Sequence, residues 1–208
     1  MGRMIRVAVV GCLIVVVMAS GASAIGYGHV RDGWAYGLNL GVGWTQLKAT
    51  DVSQTPALDL SSGWEADLAG GLRVAFSPSD EISSGLDFSG WTDYSSGGPD
   101  YNRIKTTAFG ILAQGHWYPG GQGFYLRGGL GLGSLGLKLT HPAAIISQTK
   151  QGLGWGLGAG WEVRVSPSFA LGVAYDYRAV NVGSVTSILD DVSTATQSAT
   201  ISLTWYPD

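Results

Sequence analysis

Ionisable side chains are scarce in this chain, so those that stand among apolar and small residues are the first candidates for chemistry. Charged residues make up 13% of the 208 residues, about half of the usual quarter. Opposite charges in apolar surroundings must be paired or hydrated, which predicts either a structural ion-pair network or a narrow polar pathway. The eight candidates for this network are Glu65, Asp67, Arg73, Asp87, Arg127, Glu162, Arg164 and Asp176.

Catalytic, metal and nucleic-acid chemistry find little support in the sequence. His29, His116 and His141 are far apart, whereas a metal site usually shows two ligands at close spacing. A serine–histidine–acid arrangement would use His116 or His141, but the chain lacks a Gly-x-Ser-x-Gly motif. Twelve basic against 15 acidic residues give no electrostatic basis for nucleic-acid binding. We therefore predict a protein that is not an enzyme and has no cofactor-binding or metal-binding residues.

Glycine-rich stretches at residues 129–133 and 152–160 resemble phosphate-binding loops only superficially. They lack the Lys-Ser/Thr pair and the following helix of such a loop. The chain contains 33 glycines, and in these stretches glycine recurs at every second position. This period indicates small residues on the crowded inner face of a sheet.

The first 24 residues have the pattern of a secretory signal peptide. Arg3 and Arg6 precede an uncharged run over residues 7–19, and small residues at 22–24 form an Ala-x-Ala cleavage site. The run is too short for a membrane-spanning helix, which needs about 20 residues. We expect residues 1–24 to be removed and residues 25–208 to form one domain. An alternative is a lipid anchor, because residues 9–12 resemble a lipoprotein box that ends at Cys12.

Apolar residues in the remaining chain alternate with small or polar ones. In residues 34–44 the even positions are large and apolar, and the odd positions are Ala, Gly or Asn, as expected for a strand. The pattern recurs in residues 64–76, 82–91, 109–117, 124–132, 155–163, 169–177 and 200–205. In the fifth of these eight strands the apolar phase changes after Ser134, and Leu135, Leu137 and Leu139 take the odd positions. We predict a bulge or a strand end there.

The connections between the predicted strands alternate in length. Residues 77–80, 119–122 and 166–168 have tight-turn compositions. Longer polar stretches at 47–62, 94–102, 140–150 and 179–196 predict four loops. Strands joined in this way form an up-and-down meander, and eight of them are expected to close into an antiparallel barrel because closure removes exposed edges.

Composition indicates which face of the barrel lies outside. The non-apolar face is mostly Gly, Ala, Ser and Thr, which is poor material for a water-facing surface but suits a narrow interior. Aromatic residues also cluster at both strand ends, as in the girdles of membrane barrels. These predicted girdle residues are Trp34, Phe76, Trp117, Phe124, Phe169 and Trp205 near the short turns, and Trp44, Trp64, Trp155 and Tyr177 near the long loops. The alternative is a soluble barrel with tryptophans in its core.

With these features the chain resembles the small eight-stranded outer-membrane β-barrel proteins of Gram-negative bacteria, such as OmpX, the OmpA transmembrane domain and the opacity-type proteins. The resemblance implies an integral protein of the cell outer membrane, with short turns in the periplasm and long loops outside. Residues 202–206 supply the terminal alternation that the barrel-assembly machinery reads. Pro207 and Asp208 after it depart from the family pattern, in which an aromatic residue is last.

The resemblance implies a role more weakly than it implies the fold. We expect a structural or surface-interaction, adhesin-like protein with a polar, plugged lumen and loops presented to an extracellular partner. Its other contacts would be outer-membrane lipid and lipopolysaccharide, and a closed barrel is expected to be a monomer. One alternative is a narrow, porin-like channel for small solutes or, as in OmpW-like proteins, small apolar molecules. A lipid A-modifying enzyme is the less favoured alternative.

Overall fold

The computed structural model describes residues 31–51, 58–61, 67–95, 103–141, 144–183 and 189–207. The predicted signal peptide, His29, Trp64 and Glu65 lie outside these residues. The strands are β1 Gly33–Asp51, β2 Leu58–Ser61, β3 Asp67–Ser79, β4 Ile82–Ser95, β5 Arg103–Trp117, β6 Phe124–His141, β7 Ala144–Ser166, β8 Phe169–Gly183 and β9 Leu189–Trp205. In this described part, no helix has the length and apolar character needed to cross a membrane.

The strands form a closed antiparallel ring. From β3 to β9 each strand pairs with the next one in the chain, and β1 pairs with β2, β3 and β9. β2 and β3 pair with successive parts of β1, at residues 46–49 and 33–43, so together they occupy one place in the barrel wall. The ring therefore has eight places, which confirms the predicted eight-stranded antiparallel barrel.

The pairing register fixes the shape of the barrel. Following paired residues once around the ring from Gly37 leads back to β1 at Leu47, a shear of 47 − 37 = 10 residues. The intermediate members of this row are Arg73, Asp87, Leu112, Gly131, Gly154, Val180 and Thr194. A stagger of this size goes with strands tilted by about 35–45° and an interior just wide enough for packed side chains.

Tight connections join the strands at one end of the barrel, which we name the turn end: residues 79–82, 117–124 and 166–169. The opposite end is the loop end. The second of these connections is a 3-10 turn at Pro119–Gly121. Gly120 and Gly121 there adopt φ angles of 68° and 66°, in the left-handed region that favours glycine. The predicted short turns thus lie where the structure turns.

Most of the wall carries large apolar side chains outside and small or polar ones inside. Leu68 and Leu132 are 71% and 70% exposed on the outer face. Buried inward residues include serines, threonines and most of the predicted charged set. A water-soluble barrel has the opposite arrangement, so this outer surface fits the hydrocarbon of a membrane.

β6 shows that this arrangement reverses toward the loop end. Leu132 faces outward, whereas Leu135 is 0% exposed inside the barrel and Lys138 is exposed outside. The predicted bulge or strand end after Ser134 is wrong, because β6 pairs with β5 and β7 through this point without a register shift. The chain keeps its period of two while its surroundings change from lipid to water, so the apolar residues move to the inner face.

The same reversal occurs on three other strands. Outward Trp44 on β1 is followed by buried Leu47, and outward Tyr177 on β8 by buried Val180, while Val192 near the start of β9 is also buried. The strands therefore continue beyond the lipid-facing band.

This extension overturns part of the loop prediction. The loops predicted at 140–150 and 179–196 are wrong over most of their length, since β6, β7, β8 and β9 extend into them. The loop predicted at 47–62 contains the end of β1 and all of β2. Where the side chains of these segments are described, polar residues such as Ser147, Thr149 and Asn181 are exposed. The apolar outer face that identifies a lipid-facing strand is missing there. Residues 96–102, most of the remaining predicted loop, lie outside the described residues.

The reversal predicts different costs for two leucines of β6. Leu135→Ala leaves a cavity inside the barrel and is expected to lower the free energy of unfolding by about 2–5 kcal/mol. Leu132→Ala should cost less, because acyl chains fill the vacated space. Urea unfolding in phospholipid vesicles, followed by tryptophan fluorescence, measures both. An equal or larger loss for Leu132→Ala would contradict the reversal.

Candidate functional site

The lumen is the candidate site, because the predicted charged residues converge there. Six of them are buried with their side chains inside the barrel: Arg73, Asp87, Arg127, Glu162, Arg164 and Asp176. Asp67 lies at the start of β3, but the structure does not describe its side chain, and Glu65 is outside the described residues. The lumen is built from three polar layers and one apolar layer, which we describe from the turn end upward.

A cluster around Glu162 closes the turn end. Its Oε1 atom accepts hydrogen bonds from the Tyr206 hydroxyl at 2.7 Å and from Arg31 Nε at 3.4 Å. The Arg31 guanidinium lies 3.7 Å from the centroid of the Tyr118 ring. Arg164 lies 3.7 Å from the centroid of the Tyr206 ring. Charges are thus satisfied inside the barrel by a carboxylate and by aromatic faces.

Arg31 also connects the segment before β1 to two of the tight turns at this end of the barrel. Its Nη atoms donate to the backbone oxygens of Asp80, Gly121 and Gln122 at 2.9–3.1 Å. These oxygens belong to two different turns, so one buried arginine ties the start of the barrel to both.

The tyrosine hydroxyls of this closure remain protonated. Burial, reinforced by the nearby Glu162 carboxylate, raises the pKa of Tyr118 to about 12. The same two causes raise the pKa of Tyr206. Tyr206 can therefore donate to Glu162 throughout the ordinary pH range.

Arg73 and His116 lie just above this closure. Arg73 Nη1 is 3.0 Å from His116 Nε2, and Arg73 Nη2 donates to Thr204 Oγ1 at 3.2 Å. An arginine can only donate, so Nε2 is the acceptor and the neutral imidazole carries its proton on Nδ1. The His116 ring also packs against Tyr118 and Tyr125.

These contacts bear on the hypothesis of a serine–histidine–acid site. Among the described residues, neither a carboxylate nor a serine hydroxyl is hydrogen-bonded to His116. The side chain of His141 is not described. No group of three or more potential metal ligands occurs in the described part of the chain.

Arg127 and Asp176 form the middle layer. Arg127 Nε donates to Asp176 Oδ1 at 2.6 Å, and Arg127 Nη2 makes a second bond to Oδ2. Gly158 lies between them in the pairing row. A Cβ atom at Gly158 would clash with Asp176 Oδ1 and come within 3.0 Å of Arg127 Nε. Because residue 158 of β7 is a glycine, the Arg127 side chain from β6 can reach the Asp176 side chain from β8 across β7.

The third polar layer spans the barrel. Arg178 Nη1 donates to Asp87 Oδ1 at 2.8 Å, and the two residues belong to β8 and β4, on opposite sides of the ring. A cavity of about 20 Å³ beside this pair is lined by Asn39, Ser89 and Thr200, among others. A water molecule needs about 10–15 Å³, so the cavity has room for about one water.

An apolar layer fills the lumen toward the loop end. Its inward side chains are Leu47, Trp91, Ala108, Leu135, Leu137, Val180, Val182 and Val192. Six of its eight residues lie on β1, β6, β8 and β9, the strands whose apolar phase reverses, and Trp91 and Ala108 come from β4 and β5. An apolar constriction of this kind excludes water and ions. It therefore blocks the lumen a second time, nearer the loop end than the ion-paired layers.

Three important lumen residues were missed by the sequence reasoning. Arg178 was overlooked because the predicted strand ended at residue 177. The inward-facing residues of β8 have even numbers, so continuing the alternation by one residue would have placed the Arg178 side chain in the lumen. Arg31 precedes the first alternating segment and carries no local signal. Tyr206 belongs to the terminal alternation of residues 202–206, in which it follows outward Trp205, and its buried side chain points inward.

The nine predicted girdle residues that the structure describes lie on the outer face, at two levels. Trp34, Phe76, Trp117, Phe169 and Trp205 are exposed, and Trp44, Phe124, Trp155 and Tyr177 are partly exposed. Several form ring contacts, such as Trp34 with Phe76 at 5.5 Å and Trp155 with Tyr177 at 5.2 Å. Their contact with the membrane interfaces stays a prediction.

Comparison with known families identifies the fold. The family model described as "Outer membrane protein beta-barrel domain" matches residues 10–206. The chain belongs to this outer-membrane β-barrel family. It is therefore an integral protein of the outer membrane of Gram-negative bacteria, as the sequence resemblance implied. No curated protein gave a significant match.

The chain is also similar in fold to solved structures of other proteins. Ail, the attachment invasion locus protein of Yersinia pestis, is 16% identical, with a TM-score of 0.53 and coverage of 83% of this chain and 99% of Ail. Ail bound to the heparin analogue sucrose octasulfate gives a TM-score of 0.51 at the same identity and coverage. Neisserial surface protein A is 14% identical, with a TM-score of 0.49 and coverage of 82% and 96%. At these identities the likeness concerns the fold alone.

The Arg127–Asp176 pair gives a prediction for this family member. Arg127→Leu and Asp176→Leu alone should each lower the free energy of unfolding by about 3–5 kcal/mol, because each leaves a buried charge without its partner. The double variant should be much closer to wild type, since an apolar pair of similar volume is often neutral.

Urea unfolding in vesicles measures all four proteins of this cycle. Additive losses in the double variant would show that the two charges are not coupled in the folded barrel.

Proposed function

We propose that the protein is a closed barrel with a structural or surface-interaction role, rather than a conduit. The observation that carries the proposal is the double closure of the lumen. Ion-paired arginines fill the part nearer the turn end, and an apolar cluster fills the part nearer the loop end. A solute would have to disrupt two barriers of opposite chemistry.

The extended loop end supports a role outside the membrane. β6 continues to His141 and β7 begins at Ala144, whereas the pairing of β7 with β8 begins only at Leu153. Residues 144–152 therefore rise above the paired part of β8. The exposed side chains in this hairpin include Ser147, Thr149, Lys150 and Gln151, which form a polar surface suited to an extracellular partner.

Similarity to Ail agrees with this role at the level of the fold. Ail is named as an attachment protein, and one of its structures holds a heparin analogue. We propose an adhesin-like interaction for this chain by analogy, with the loop end facing outside. Because His116 is bonded to Arg73, we also propose that the protein is not an enzyme.

Two further expectations belong to this proposal. β9 ends with outward Trp205, which suits recognition of the terminal strand by the barrel-assembly machinery. The ring closes through β1 and β9, so along the paired wall it leaves no edge for a second copy, and we propose a monomer.

A narrow channel for small solutes or small apolar molecules is the alternative. The feature that favours it is the glycine-rich and serine-rich inner face around the small cavity, which would leave free space if the Asp87–Arg178 pair separated. Transport would then require the apolar layer to open as well.

Planar-bilayer recordings in salt distinguish these functions. We expect the folded wild-type protein to show no discrete conductance steps. Asp87→Ala with Arg178→Ala should also be silent, because the apolar layer remains and excludes ions. Adding Leu135→Ser and Val180→Ser should leave the barrel silent as well, because the Arg127–Asp176 pair and the cluster around Glu162 still fill the lumen nearer the turn end.

Heat-dependent gel mobility confirms folding of each protein before the recording. Reproducible steps from wild-type protein would overturn the closed-barrel proposal in favour of a channel.

A further inference from the structure

The outer wall of the barrel has a recess near the loop end, where two alanines lie between larger side chains. One pairing row runs across β7, β8, β9 and β1 through Trp155, Ala179, Ala195 and Gln46. The alternation of each strand places these four side chains on the outer face. The small alanine side chains in the middle of the row leave a cavity of about 160 Å³, which we name the notch.

The neighbouring rows supply the edges of the notch. On the turn-end side, the next outward residue of β8 is Tyr177, and its ring centroid lies 5.2 Å from that of Trp155. On the loop-end side, Asn181 and Ser193 are paired across β8 and β9, and both line the notch. The notch therefore offers aromatic rings at one edge and an amide and a hydroxyl group at the other.

The notch lies where the outer face changes from apolar to polar. Toward the turn end, Leu157 of β7 and Ile201 of β9 are exposed and suit hydrocarbon. Toward the loop end of β8, Asn181 is exposed outside while Val180 and Val182 are buried inside. With the loop end facing outside, a molecule in the external water can reach the notch from its polar edge.

The side chains around the notch favour an uncharged occupant with two kinds of surface. Among the described residues that line it, none is charged. A hydrocarbon chain would leave the amide and hydroxyl groups without hydrogen-bond partners, which is unfavourable. The faces of aromatic rings carry partial negative charge and attract C–H groups. An occupant with a C–H face and a rim of hydroxyl groups satisfies both edges.

The volume of the notch limits the size of this occupant. An apolar protein cavity of about 150 Å³ holds one benzene molecule. The notch therefore has room for about one six-membered ring. A neutral pyranose combines this size with a C–H face and several hydroxyl groups.

We propose that the notch binds one neutral pyranose ring of an extracellular glycan. Trp155 packs against the C–H face of the sugar, and Asn181 forms hydrogen bonds with its hydroxyl groups. This inference rests on the proposed surface-interaction role and names the chemistry of the partner. It does not depend on whether the lumen conducts.

Titration with simple sugars tests the site. The protein is folded into nanodiscs of neutral phospholipid without glycolipid, and saturation-transfer NMR measures binding of the methyl glycosides of glucose, galactose, mannose and N-acetylglucosamine. We expect at least one of these probes to bind saturably. Trp155→Ala and Asn181→Leu should each weaken this binding about fivefold. Ala195→Leu fills the notch and should abolish it.

Matched variants control for general effects on the wall. Trp161→Ala removes another outward tryptophan of β7, and Ala199→Leu enlarges another outward alanine of β9. Neither residue lines the notch, so both variants should bind the sugar like wild type. Heat-dependent gel mobility confirms that each variant is folded.

Several results would overturn the proposal. They are no binding of any of the probes to folded wild type, equal weakening by Trp161→Ala, and unchanged binding to Ala195→Leu. Sugar binding in detergent that disappears in nanodiscs would also contradict it, because a membrane lipid would then occupy the notch. None of these results changes the bilayer recordings, so failure of the sugar site and failure of the closed-barrel proposal are distinguishable.

Discussion

The structure depends on closure of the pairing between β1 and β9. Hydrocarbon offers no partner for a backbone amide or carbonyl, so a sheet can span a membrane only when its edges meet. The ring of eight places with a shear of 10 residues (47 − 37) sets a lumen too narrow for water-filled space. Inward side chains must therefore fill the lumen and satisfy one another, which explains the buried arginines, their carboxylates and the glycines between them.

Closure of the barrel does not determine which face of the wall is apolar. The surroundings of the outer face determine it. Where lipid surrounds the barrel, apolar residues face out and ion pairs such as Arg127–Asp176 face in. Beyond the lipid, the same strands turn leucine and valine inward and place lysine and threonine outward. The polar layers, the apolar layer and the polar outer surface near the loop end thus follow from one change of surroundings along uninterrupted strands.

The sequence predicted the barrel well because the lipid-facing part of each strand has a strong period of two. It does not predict the strand segments near the loop end, because the shift of apolar residues to Leu135 and Leu137 looks the same in the sequence whether the strand ends or its surroundings change. Nor did it pair the lumen charges, because the partners depend on the shear, which brings Arg178 on β8 to Asp87 on β4. Arg31 acts through tertiary contacts alone.

Cysteine accessibility along β6 tests the change of environment most directly. Single cysteines replace Leu132, Leu135 and Lys138 in a chain with Cys12→Ser, and a membrane-impermeant maleimide is added to the folded protein in bilayers. The account predicts rapid labelling at position 138 and protection at 132 by lipid and at 135 by the barrel interior. Labelling at 135 with protection at 138 would contradict it, because the apolar residues would then face outward along the whole strand.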